Sequence, residues 1–158
     1  GRKPLPEFTL DFYRAVMDVN VLTAIVVTQA VAPVMIAGGR GGAVVNIASL
    51  AAHNGGGPGA WVYAGAKAAV MSISKGLAKE LAPHGIRVNA VSPGLIGDTD
   101  FHNTFTPREA FVATEKTIPL GRAGRPEEVA RLIAYLAGSD ASYLTGETVE
   151  INGGMFMR

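Results

Sequence analysis

Two short runs, Ala43–Ala48 (AVVNIA) and Ile86–Val91 (IRVNAV), are largely apolar and β-branched and show no strict alternation of apolar and polar positions. Such runs suit strands buried on both faces, as in a parallel sheet covered by helices. Parallel neighbours need a long crossover, and Trp61–Leu81, rich in Ala and stopped by Pro83 and Gly85, supplies a helix of that length. Upstream, Leu10–Ala37 is helical in pattern and apolar on most faces, which suits a helix covered by protein on both sides; Gly38–Gly42 end it. Thr106, Pro107 and Glu109 read as the N-cap, first-turn proline and capping-box acid of a short helix. Pro126-Glu127-Glu128 opens another that runs to about Ala137, and Thr148–Ile151 forms a third strand before Gly153-Gly154. Strand and helix alternate throughout, so the expected fold is one α/β domain over residues 1–158, with strands at about 43–48, 86–91 and 148–151 and right-handed crossovers.

Composition removes several classes of function. A formal net charge of +1 on 158 residues gives no broad basic field, so neither nucleic acid nor a membrane surface is an expected partner. There is no cysteine and there are three histidines, so no disulfide, thiolate nucleophile or metal site is expected, and a reducing, cytoplasmic setting fits. Asp98, Asp100 and His102 match no standard ligand spacing. Gly1–Glu7 has no apolar segment of signal-peptide type behind it. Val21–Ala37 approaches the length of a membrane span, but Thr23, Thr28, Gln29 and Pro33 and the absence of basic flanks favour a core or interface helix.

Ligands of an open parallel sheet bind at the carboxyl ends of its strands, where Ser49 and Pro93-Gly94 fall. Tyr63 and Lys67, four apart on one helix, share a face one turn apart. A phenol ordinarily titrates near 10; bringing it to neutrality takes about 4 kcal/mol, which a neighbouring ammonium can help supply. So tuned, it passes a proton to or from an oxygen while hydride moves at the attached carbon. Ser49 is placed to hold that same oxygen. Asn20 sits inside the apolar helix, where an amide requires partners. Taken singly, each of these residues also has a plain structural reading: an accidental Tyr/Lys spacing, a strand-end cap, a satisfied core amide. Their joint order is what few unrelated sequences would share.

The succession DVN (18–20), VVNIAS (44–49), YAGAK (63–67), GIRVNAVSPG (85–94), PLGRAGRPEEVA (119–130) and YLTGETVEINGG (143–154) resembles the short-chain dehydrogenase/reductases. The resemblance covers nearly all of the chain from Phe8 and implies a partial Rossmann-type fold, a doubly wound parallel sheet with flanking helices. By it, Asn20, Ser49, Tyr63 and Lys67 match the family's catalytic tetrad. Tyr63 would be the acid/base and Ser49 the orienter of the substrate oxygen. Lys67 would lower the phenol pKa and hold the nicotinamide ribose, and Asn20 would position a relay water. Pro93, Gly94 and Ile96 match the segment passing the nicotinamide of NAD or NADP. The family's threonine stands two residues after the position of Ile96, whereas Gly97-Asp98 here puts Thr99 three residues on.

The resemblance further implies a small-molecule alcohol or carbonyl substrate and a homodimer or homotetramer packed through the two long helices, with Ala64, Gly65, Ala68 and Ala69 permitting close approach. It aligns the chain with the family's C-terminal catalytic portion. The glycine-rich strand-turn-helix, the ribose-selecting residue and the Asn-Ala-Gly strand are not in this sequence, and neither Gly38–Gly42 nor Gly55–Gly59 has the context of a pyrophosphate cradle. This chain by itself is therefore expected to bind dinucleotide poorly and to leave apolar surface on the helix Leu10–Ala37. Leu95–Thr117 is expected to act as a lid. His53 and Asn54 read as loop residues more readily than as cleft lining, and Arg122 and Arg125 as structural charges. The leading reading is an NAD(P)-dependent oxidoreductase interconverting a secondary alcohol and a ketone. The rival is a truncated, non-catalytic relative serving as a structural module, and an epimerase or dehydratase with a related Tyr/Lys site ranks third.

Overall fold

The computed structural model describes residues 2–100, 104 and 106–157. Three strands, β1 (Gly42–Ile47), β2 (Ile86–Pro93) and β3 (Thr148–Ile151), pair in parallel in the order β1-β2-β3. Register runs from Gly42 opposite Ile86 to Ile47 opposite Val91, and from Ala90 opposite Thr148 to Pro93 opposite Ile151. The α/β parallel architecture read from the sequence is therefore present.

The helices are α1 (Leu10–Met17), α2 (Thr23–Gly38), α3 (Ala51–Asn54), α4 (Trp61–Leu81), α5 (Arg108–Glu115) and α6 (Pro126–Ala137). A π turn at Asp18–Leu22 joins α1 to α2, giving a continuous helix of 29 residues. Alternation along the strands sorts side chains between two layers. Val44, Ile86 and Val88 pack with Ala32, Met35, Ala78 and Leu81 of α2 and α4. Val45, Val91, Val149 and Ile151 pack with Val129, Leu132, Ile133 and Leu136 of α6. The upper half of α4 (Ala66, Val70) meets Val16, Met17 and Val21 in a third cluster.

Two buried amides tie the layers together. Asn46 Nδ2 donates to Ser74 Oγ at 2.9 Å, crossing from β1 to α4. On the other face Asn89 Nδ2 donates to Leu144 O at 2.8 Å while its Oδ1 accepts from Glu147 N at 3.0 Å. Arg87 closes the end of α6, donating to Leu136 O and Gly138 O at 2.8 Å each. A guanidinium there satisfies carbonyls that the last helical turn leaves without partners.

Burial departs from expectation at β1 and at the long helix. β2 is buried along most of its length, but Gly42–Val45 of β1 are only half-buried and Ile47 is 42% exposed, because β1 lies at the sheet edge. The sequence implies cover on both sides of the long helix; within Leu10–Gly38 only Val21, Thr28 and Ala32 are buried, while Val26, Val27, Val31 and Val34 are exposed. By length and composition this helix is long and apolar enough to cross a membrane; in the fold it is a layer packed along α4 and β1. The short helix after the 95–105 segment begins one residue late: Pro107, not Thr106, is its N-cap, and no side chain caps it. The segment Ala51–Asn54, unmarked by any period, is the added helix α3.

Candidate active site

One cavity of about 580 Å³ opens at the carboxyl ends of β1 and β2, a volume in the usual range for small-molecule sites. Asn20, Ser49, Tyr63, Lys67, Pro93, Gly94, Ile96 and Thr99, every residue singled out for the site, line it. They arrive from four directions. Asn20 comes from the π turn, Ser49 from the end of β1, Tyr63 and Lys67 from α4, and the remainder from the end of β2 and the segment beyond it.

The hydroxyls of Ser49 and Tyr63 are hydrogen-bonded to each other. Ser49 is fixed by the turn it starts, its Oγ accepting from Ala51 N at 3.2 Å. Lys67 Nζ donates to Ile47 O at 2.8 Å and lies over the Tyr63 ring, 5.7 Å from its centroid. Tyr63 and Lys67 thus meet as their spacing implies. The phenol pKa moves up from its ordinary value, not down as expected. Burial pushes Tyr63 above its ordinary value, with the Ser49 hydrogen bond pulling the other way. Burial also pushes the Lys67 ammonium down. Desolvation disfavours the charged form of each group.

Asn20 Nδ2 donates to Val16 O at 2.9 Å, four residues back, at the place where the helix widens into the π turn. Such turns free backbone groups and recur at functional sites. Beyond β2, Gly94 N donates to Ile151 O at 3.0 Å, and Ile96 bridges to Gly124. Asp98 takes φ 52°, turning the chain so that Thr99 Oγ1 reaches Ile96 O at 3.3 Å. Left-handed backbone is tolerated by Asp better than by most residues. Thr99 therefore reaches the cavity although it stands one residue farther along than the family pattern.

Other candidates fall away from the cavity. His53 turns to Glu150, 2.7 Å away, and stacks on Phe156 at 4.2 Å. Asn54 Oδ1 accepts from Gly56 N within its own turn. Arg122 forms a two-pronged pair with Glu128 at 2.7 and 2.9 Å, which with the Arg125 N–H holds the Glu128 carboxyl at about 2. Of the expected lid, Ile96 and Thr99 reach the cavity, while Phe101, His102, Asn103 and Phe105 lie outside the described residues. Among the described residues no cluster of three metal-binding side chains occurs. Sequence reasoning missed the apolar wall made by Ile47, Val129, Ala130 and Ile133, and missed Arg2 at the mouth. The apolar positions on α6 signal a core stripe, and nothing local in the sequence marks Arg2.

The donor set suits a nicotinamide ribose. A lysine ammonium has three N–H donors; Lys67 uses one on Ile47 O, leaving two for ligand hydroxyls. The backbone of Pro93–Ile96 passes beside the same space.

A family model described as enoyl-(acyl carrier protein) reductase matches residues 1–156. The chain is 45% identical over 141 residues to the 3-oxoacyl-(acyl-carrier-protein) reductase FabG of Thermotoga maritima, covering 89% of this chain and 56% of that protein. It is 37% identical over 147 residues to human (3R)-3-hydroxyacyl-CoA dehydrogenase, covering 93% and 55%. Among solved structures, the TT0495 protein of Thermus thermophilus superposes with a TM-score of 0.90 at 38% identity, over 98% of this chain and 64% of that one. Acetoin dehydrogenase of Enterobacter cloacae gives 0.85 at 35%, over 100% and 63%. The chain thus spans a little over half the length of these curated relatives, and by its matched segments and its parallel α/β fold it belongs to the short-chain dehydrogenase/reductase family.

Proposed function

We propose that this chain carries the proton-transfer half of an NAD(P)-dependent oxidoreductase site that interconverts a secondary alcohol and a ketone. The observation that supports it is the joint presence of Ser49, Tyr63, Lys67 and Asn20 in one cavity, with the Ser49 and Tyr63 hydroxyls bonded to each other. A carbonyl oxygen placed between those hydroxyls accepts two hydrogen bonds. Tyr63, a phenol that is neutral at pH 7 even at its ordinary pKa near 10 and that burial shifts further up, is the proton donor for that oxygen. Ser49 steadies the charge that develops there.

The element these side chains do not supply is the hydride, which a nicotinamide dinucleotide contributes when bound. Lys67 would hold its ribose through the two remaining N–H groups, flanked by Pro93, Gly94, Ile96 and Thr99. Asn20 would hold a water of the proton path at the widened turn. In the alcohol-to-ketone direction Tyr63 takes the proton back. A cytoplasmic setting and a homodimer or homotetramer belong to the same reading; the exposed apolar residues of α2 support association.

The test is reduction of small ketones with NADH and NADPH, paired with dinucleotide binding measured by fluorescence. Tyr63→Phe is expected to abolish turnover, by about a thousandfold or more, and to leave binding within about twofold. A Tyr63→Phe protein that retains a tenth of wild-type turnover overturns the assignment. Absence of both dinucleotide binding and turnover in the wild-type chain favours the structural-module reading.

A further inference from the structure

Among the described residues, two charged side chains, Lys67 and Arg2, line the cavity and no carboxylate does. Lys67 gives one N–H to Ile47 O and, on the reading above, its other two to the nicotinamide ribose. Arg2 lines the same cavity, beside Gly57 in the loop that connects α3 to α4. Among the described residues it forms no ion pair. Its place is set by a short strap. Lys3 N donates to Gly59 O at 2.9 Å, and Lys3 Nζ sits 5.7 Å from the centroid of the Phe12 ring. The loop is shaped to receive that strap. A Cβ at Gly59 would stand 3.1 Å from Lys3 backbone atoms, and one at Gly57 would stand 3.3 Å from Arg2 Nη1. Glycine at 57 and 59 therefore lets the strap lie flat and carries the guanidinium to the cavity.

A cation at the rim of a mostly apolar cavity with no neutralising acid focuses positive potential into it. We propose that Arg2 is a specificity-determining residue that recognises an anionic group, a carboxylate in the first instance, on the carbonyl substrate reduced between Ser49 and Tyr63. The planar fork of a guanidinium matches a carboxylate with two parallel hydrogen bonds. The identification of the ligand as a substrate rests on the reading of the site given above. The anion preference itself does not, since it concerns binding alone. Phosphate oxygens of a bound dinucleotide share the chemistry, so the experiment separates the two sources.

The full chain, without dinucleotide, is titrated by NMR with acetoacetate and with its neutral ester, methyl acetoacetate. Wild type is expected to bind the anion about tenfold more tightly than the ester, a discounted figure for a charge-assisted contact on a partly exposed group. Arg2→Gln should bind the two equally, and Arg2→Lys should restore part of the preference. Arg2 is exposed, and an unchanged melting temperature will show that Arg2→Gln is folded. Equal binding of both compounds by wild type, binding of neither, or an undiminished preference in Arg2→Gln overturns the proposal. A parallel NADH titration completes it: if Arg2→Gln weakens NADH but keeps the acetoacetate preference, the cation serves dinucleotide phosphate and the substrate assignment is wrong. Loss of turnover in Tyr63→Phe bears only on the reaction, so the two readings fail separately.

Discussion

Gly94→Ala isolates a single geometric requirement of the cavity floor. A Cβ at this position would lie 2.8 Å from both the Cα and the Cβ of Asn152, against a carbon–carbon optimum of about 3.5–4.0 Å. The two segments must therefore separate by about 0.7 Å or more. Neither gives way easily. Gly94 N is held by Ile151 O at 3.0 Å, and Asn152 is held by Gly154 N on its Oδ1 at 2.9 Å and by Phe156 O on its Nδ2 at 3.2 Å. Gly94 has no left-handed φ, so the penalty is one of space alone. Overpacking of this kind costs about 1–3 kcal/mol, which lowers the melting temperature of a chain this size by about 2–12 °C. Displacing residues 94–96 by that distance also loosens one wall of the cavity; misplacement on the order of 1 Å costs about a hundredfold in rate, so turnover should fall by tens of fold. Urea denaturation and steady-state kinetics of the variant give both numbers. A Gly94→Ala protein within about 0.3 kcal/mol of wild type, with normal turnover, would show that the close approach to Asn152 is not a constraint and would refute the reasoning.

Two further outcomes follow from the same structure. Because burial raises the Tyr63 pKa above its unfolded value near 10, folding favours the neutral phenol: that contribution is complete below about pH 10 and is lost as pH rises through the folded value. In an absorbance titration Tyr63→Phe should remove a late component, and wild type should lose stability relative to Tyr63→Phe above about pH 10; matching alkaline stability curves would count against the burial argument. Arg87→Met should cost about 1.5–3 kcal/mol, since the carbonyls of Leu136 and Gly138 lose their shared guanidinium. A change below about 0.5 kcal/mol in urea unfolding would mean that water caps α6 equally well.

Much of the fold was legible because its boundaries are written in local chemistry. Trp61–Leu81, Pro126–Ala137 and Thr148–Ile151 have the bounds expected from the sequence, set by Pro83 and Gly85, by Pro126 and by Gly153. Tyr63 and Lys67 were legible for the same reason, since a four-residue spacing fixes their common face. What was not legible depends on tertiary placement. The half-exposure of β1 arises from its position at the sheet edge, which no pattern within Gly42–Ile47 encodes. The raised rather than lowered phenol pKa comes from the burial of Tyr63, which only the assembled fold sets. Arg2 reaches the cavity through contacts with the distant loop at Gly57 and Gly59, and α3 is too short for any period to announce it.

The π turn at Asp18–Leu22 has a consequence for how one long helix serves two neighbours. In a regular helix each residue advances the facing direction by about 100°, so a widened turn changes the angular phase between the segments on either side. Ahead of it Val16 and Met17 face Ala66 and Val70 of α4; behind it Ala32 and Met35 face Val44 and Val88 of the sheet. The turn works as a gear offset, letting one rod mesh with two differently oriented surfaces. Asn20 sits at the offset itself, so its approach to the cavity is set by the phase of the helix as much as by its own rotamer.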